Sequence, residues 1–156
     1  MRIFDLIAPN RIACCLRSTS KKRVLEQISG LLAESAPGLT EIGIFDSLVN
    51  RERLGSTGLG HGVAIPHGRM AGLDRPIGAF IRLAHGVDFD APDNQPVDLI
   101  FALLVPEEST DAHLQLLAQL AEMFSDLALC SRLRQTTNDD ELFALIEHWK
   151  SQRELA

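Results

Sequence analysis

Residues 55–68, GSTGLGHGVAIPHG, carry five of the chain's eleven glycines, two of its five histidines and a proline. Glycines allow positive φ and close approach of a second molecule, so such a stretch builds either tight turns or a place where backbone N–H groups face an anion. A phosphate-binding P-loop fails, because it needs Lys where His61 stands and a hydroxyl where Gly62 stands. The dinucleotide fingerprint fails too, since Val63 occupies the place of the glycine that should follow Gly58 and Gly60. His67 follows Val63-Ala64-Ile65-Pro66, an apolar strand end closed by a residue with fixed φ and no N–H. That setting pins the imidazole at a sheet edge, where the bare nitrogen of its neutral form can act as nucleophile, base or metal ligand.

Metal chemistry has little support. HExxH is absent, His61 and His67 are not at helical ligand spacing, and the three cysteines form no CxxC pair. Cys14 and Cys15 read as small apolar residues of a strand and Cys130 as one of a helix. Among the other polar residues, His113 in the first turn of a helix could cap it or face solvent. Arg51 at a helix end could satisfy the last carbonyls. Ser56 and Thr57 could donate to an anion or merely fix the turn. His61 is a residue of the glycine-rich rim, His85 before Gly86 reads as a turn residue, and His148 as a helix-surface residue beside Trp149.

The elements that must hold these residues alternate. Arg11 to Leu16 reads as a first strand, and Ser18, Thr19 and Ser20 offer caps for a helix over 21–34 with Val24, Leu25, Ile28, Leu31 and Leu32 at helical spacing. Pro37-Gly38 stops it, and Thr40 caps a second helix to about Arg53 with Ile42, Ile44, Phe45, Leu48 and Val49 as its apolar set. Strands are expected over Ile77 to Leu83 and Val97 to Val105, the second apolar enough to be covered on both faces. Two more helices follow, Asp111 to Phe124 with a stripe of Leu114, Leu117, Leu120 and Ala121, and Asp139 to Trp149. The order predicts an α/β layered domain with a mixed sheet.

The chain has 156 residues, 46% hydrophobic and 23% charged, which suits one globular domain over 1–156. A chain of this length buries roughly 68–70% of its unfolded surface and needs no disulfide or metal to hold a core. Fifteen Lys and Arg against 21 Asp and Glu give a net charge of −6, so nucleic acid is not an expected partner. No run of eighteen apolar residues and no signal-type N-terminus occurs, which predicts a cytoplasmic protein without membrane insertion.

The strings Arg51-Glu52-Arg53-Leu54-Gly55-Ser56-Thr57-Gly58 and Gly60-His61-Gly62-Val63-Ala64-Ile65-Pro66-His67-Gly68 resemble the signature of phosphotransferase-system enzyme IIA domains of the mannitol, fructose and nitrogen-regulatory class. Ser20-Lys21-Lys22-Arg23-Val24-Leu25 is most similar to the nitrogen-regulatory branch, and Gly86-Val87-Asp88-Phe89 and Asp111-Ala112-His113-Leu114 extend the resemblance over nearly the whole chain. The resemblance implies a mixed, about five-stranded sheet flanked by helices. It implies that His67 accepts a phosphoryl group on Nε2, with His113 and Arg51 completing the active site; Ser56, Thr57 and Gly68 are then the candidate phosphate-binding residues. It also implies an HPr-type phosphocarrier as donor, regulated targets such as potassium transport components or sensor kinases, and no cofactor. A sugar-transport enzyme IIA that passes its phosphate to a IIB domain, or a binding module that is never phosphorylated, would share the fold.

Overall fold

The computed structural model describes residues 2–150; Met1 and residues 151–156, the ends of the expected domain span, lie outside the described residues. Two short 3-10 turns, Ile3–Leu6 and Pro9–Arg11, lead into strand β1 (Ile12–Leu16). Helices α1 (Lys21–Ala33) and α2 (Glu41–Leu54) follow, then three short strands, β2 (Gly58–Gly60), β3 (Val63–Ala64) and β4 (His67–Met70). Two long strands, β5 (Ile77–Val87) and β6 (Val97–Pro106), precede helices α3 (Asp111–Phe124), α4 (Leu127–Arg134) and α5 (Asp139–His148). Capping explains the helix starts: Ser20 accepts from the Arg23 N–H, and Thr40 from the Gly43 N–H.

The strands form one mixed sheet of six, in the order β1-β5-β6-β3-β2, with β4 also paired to β6. β5 and β6 are antiparallel, whereas β1 runs parallel to β5, and β3 and β4 run parallel to β6. Alternation along β6 divides the interior. Leu99, Phe101, Leu103 and Val105 pack with α3, α4, α5 and the first 3-10 turn, while Ile100, Ala102 and Leu104 pack with α1 and α2. Helices thus cover both faces, and the unbroken apolar run of β6 is what a doubly covered strand requires.

Several details depart from the sequence reading. The α3 face turned inward is His113, Leu116, Leu120, Met123 and Phe124, one step round from the expected stripe, which leaves Leu114 exposed. Ile42 on α2 is likewise exposed. His85 is not in a turn: β5 runs past it to Val87, which pairs with Val97 beyond a bulge. Phe89 is fully buried beside α1 and β5. Cys14 and Cys15 are not ordinary strand residues but a vicinal disulfide, with Cys15 exposed at φ 63°. Cys130 is a buried free thiol of α4, a helix the apolar spacing did not announce.

Candidate functional site

His67 is the first residue of β4 and is paired to Leu103 of β6. Pro66 has no N–H to give, but its carbonyl accepts from the Leu103 N–H at 3.0 Å, so the backbone is tied to the sheet just before the ring. The ring is 8% exposed. Its Nδ1 lies 2.9 Å from the Ile65 carbonyl, which can only accept, so the hydrogen sits on Nδ1 and the lone pair on Nε2. The Arg51 Nε–H donates to that lone pair at 3.2 Å, while Arg51 Nη1 donates to the Gly55 carbonyl at 2.8 Å. Arg51 belongs to the last turn of α2, so the carbonyl-capping role and the approach to His67 are held by one guanidinium.

His113, from the first turn of α3, meets His67 edge to face, with ring centroids 5.1 Å apart and planes at 71°. It neither caps the helix nor faces solvent. Only 7% exposed, it has no hydrogen-bond partner on either ring nitrogen among the described residues. Burial pushes its pKa down to about 4, with His67, Arg69 and Arg51 adding to the effect. His67 is also held below the ordinary histidine value, chiefly by burial, against the raising effect of the Ile65 hydrogen bond, while Arg51 lowers it and Glu52 raises it. Both rings are therefore neutral near pH 7. A neutral imidazole with a fixed tautomer is a nucleophile, and an adjacent guanidinium is a ready countercharge for an arriving anion.

The other expected residues divide. The Ser56 hydroxyl donates to the Phe89 carbonyl at 2.7 Å and accepts from the Gly58 N–H at 3.1 Å. The Thr57 hydroxyl donates to Glu52, and its N–H donates to the other Glu52 oxygen at 2.9 Å. Both hydroxyls are thus engaged in shaping the turn. A Cβ on Gly68 would collide with Ser47 Oγ, so this glycine is what lets β4 lie against α2. His61 stands at φ 55° with its N–H on Asp93, away from the ring pair. The sequence reading missed Arg69: two residues along β4 it shares the strand face of His67, and its charge reaches His113. With β4 only four residues long, no period in the sequence announced it.

The site thus joins a layered sheet, a tautomer-fixed histidine at its edge and a guanidinium on the histidine's second nitrogen. The family model for the phosphoenolpyruvate-dependent sugar phosphotransferase system, EIIA 2, matches residues 5–149, and the chain belongs to that family. Within it, the chain is 45% identical over 146 residues to a nitrogen regulatory protein of Pseudomonas aeruginosa, covering 94% of this chain and 95% of that one. The nitrogen regulatory protein of Escherichia coli is 44% identical over 137 residues, covering 85% and 83%. The crystal structure of the nitrogen regulatory protein IIA-Ntr from Neisseria meningitidis superposes with a TM-score of 0.87 at 44% identity, over 92% of this chain and 98% of that one. The mannitol IIA of Escherichia coli, at 22% identity and a TM-score of 0.75 over 90% and 98%, shares the fold. These relatives support a phosphocarrier and regulatory role within the phosphotransferase system. Among the described residues no helix is long and apolar enough to cross a membrane.

Proposed function

We propose that this chain is a cytoplasmic, single-domain phosphocarrier that accepts a phosphoryl group on His67 Nε2 from a histidine-phosphorylated HPr-type protein and regulates other proteins by its phosphorylation state. The observation that carries the reading is the Nδ1 contact with the Ile65 carbonyl, which puts the nucleophilic lone pair of the ring on Nε2. In the transfer the Nε2 lone pair forms the new N–P bond, the donor's N–P bond breaks, and its electron pair leaves with the donor imidazole. No proton has to move first, so no carboxylate base is required.

Arg51 rests on Nε2 in the free protein, and the incoming phosphoryl oxygens take over its Nε–H as the nitrogen becomes the nucleophile. A cation about 4 Å from a phosphoryl charge is worth on the order of 4 kcal/mol at an effective dielectric of 20. His113, with neither nitrogen engaged, supplies a second donor. Leu54, 84% exposed three residues past Arg51, and Leu114, 66% exposed and next to His113 in the chain, offer apolar surface against which a docked partner would exclude water. Adding close to two negative charges there changes which partner docks, through repulsion and desolvation, without refolding. The resemblance to the nitrogen-regulatory branch points to potassium transport components or sensor kinases as the regulated targets.

Incubation with phosphoenolpyruvate, enzyme I and an HPr-type protein, followed by intact mass, is the test. One phosphate is expected, lost in acid and kept in base as a phosphoramidate requires, and absent from His67→Ala with unchanged circular dichroism. Undiminished uptake by that variant, or an acid-stable product, would move the acceptor elsewhere. Rapid onward transfer to a sugar-specific IIB domain would assign the chain to sugar transport.

A further inference from the structure

Cys14 and Cys15 lie on β1, the edge strand at the opposite side of the sheet from β4, and the histidine chemistry makes no use of them. In a regular strand neighbouring side chains point to opposite faces. Here Ile12 pairs with Phe80 and Ala13 with Ile81, but the next pair is Leu16 with Leu83, so β1 holds one more residue than β5 in that interval. The extra residue is absorbed as a bulge with Cys15 in the left-handed region at φ 63°, and both sulfurs come to one side.

Arg82 of β5 stands against the pair. Its Nη1 is 3.7 Å from Cys14 Sγ and 3.3 Å from Cys15 Sγ, and it also donates to the Thr136 carbonyl at 2.6 Å. Cys15 is exposed and Cys14 half-buried. An accessible sulfur beside a cation is the setting in which cysteine exchanges with disulfides, and a second cysteine within bonding reach resolves the mixed species. Cys130 is the internal contrast: it is buried, its Sγ donates to the Phe124 carbonyl, and burial pushes its thiol up.

We propose that Cys14 and Cys15 form a reversible dithiol–disulfide site that exchanges with small-molecule disulfides of the glutathione class. The Cys15 thiolate attacks one sulfur of the small disulfide, whose S–S bond breaks and releases one thiol, leaving a mixed disulfide on Cys15. Cys14 then attacks Cys15 Sγ, expels the second small thiol and closes the vicinal bond. The two protein thiol protons end on the two released thiols, the protein pair is oxidised and the small disulfide is reduced. The bond state is felt at the far helices, because Arg82 ties the pair to Thr136 between α4 and α5, and the Cys14 N–H donates to Asp139 at the start of α5 at 2.7 Å.

The test equilibrates the full chain in buffers of graded reduced and oxidised glutathione, then alkylates under denaturing conditions and reads intact mass. In oxidising buffer wild type is expected to lose two hydrogens and keep a single alkylatable thiol, Cys130. Cys130→Ser should close the bond as wild type does, and Cys15→Ser, an exposed near-isosteric change whose fold circular dichroism checks, should form no internal bond. Arg82→Gln, which removes the cation beside both sulfurs, should slow closure about threefold. Three alkylatable thiols at every ratio, a stable mixed disulfide beside a free neighbour, or bonds formed only between chains would overturn the site. An unchanged rate in Arg82→Gln would overturn the part given to the guanidinium.

Discussion

Arg51 and Glu52 are neighbours on the last turns of α2, yet they face two polar regions satisfied to opposite degrees. Below the glycine-rich turn, buried Glu52 is paired with Lys21 at 2.9 Å and accepts from both the N–H and the hydroxyl of Thr57. Lys21 in turn donates to the Phe89 carbonyl and lies 5.0 Å from the Phe89 ring centroid. Charges and donors close on one another there. At the sheet edge, Arg51 brings a charge to a ring that is neutral, and His113 brings two nitrogens without partners. A closed network fixes geometry, while an open one keeps capacity for a charge that arrives later. The two are joined, because the Thr57 carbonyl accepts from Ile65, whose own carbonyl holds His67 Nδ1. The satisfied region holds the acceptor in place, and the unsatisfied one is where chemistry has room.

The sharpest way to break this contrast is in the closed region. Glu52→Ala strands both buried Thr57 donors and leaves the Lys21 ammonium only the exposed Asp90 carboxylate at 3.6 Å, and should cost about 3–5 kcal/mol of stability, read by denaturant unfolding. A loss below about 1 kcal/mol would show that the cluster is not closed in solution. In the open region the expectation reverses between stability and rate. His113→Ala removes no hydrogen bond to the described residues, yet should slow phosphoryl transfer by about 10²–10³-fold, equivalent to 2.7–4 kcal/mol, in a rapid-quench assay. Rates equal to the parent's would reduce His113 to a neighbour.

The last of these effects is read in acid. His113 takes its proton near 6.5 when unfolded and near 4 when folded, so above about pH 6.5 both states are neutral. As pH falls from there toward 4, only the unfolded chain is protonated, and stability drops by on the order of 3 kcal/mol. His67, shifted in the same direction, adds to that loss. Unfolding of wild type and His113→Leu at neutral pH and near pH 4.5 checks the sign: the variant should lose less. A slope that survives the substitution would place the acid sensitivity outside the ring pair.

How much of this was readable from the sequence varies with the length of each signal. Ser20 and Thr40 announced α1 and α2 because a cap followed by apolar spacing is a local device. β2, β3 and β4 have two to four residues each and cannot show a period, although the histidine they position was visible from its glycines and proline. α4 has eight residues, and its one clear mark was Asp126, which accepts from the Leu129 N–H as N-cap. Position in the first turn left His113 free to cap the helix or face solvent, and only the family resemblance drew it to the site; the buried face of α3 was settled by β6 and the 3-10 turn, not by the helix alone. Nothing local in the sequence reveals that Lys21 will come to meet Glu52.

The parallel pairing of β4 with β6 also bears on when the protein becomes competent. During synthesis His67 is made well before Leu103, which pairs with it, and before His113, which faces it. Parallel strands cannot close through a tight hairpin, so β4 is held only after the long β5–β6 pair has formed and the intervening chain has been looped back. An unfinished chain carries His67, Ile65 and Arg51 without the β6 strand that holds them in register and without the His113 ring. Reactivity is therefore acquired late and all at once, and a truncated product ending before α3 would compete for neither donor nor target.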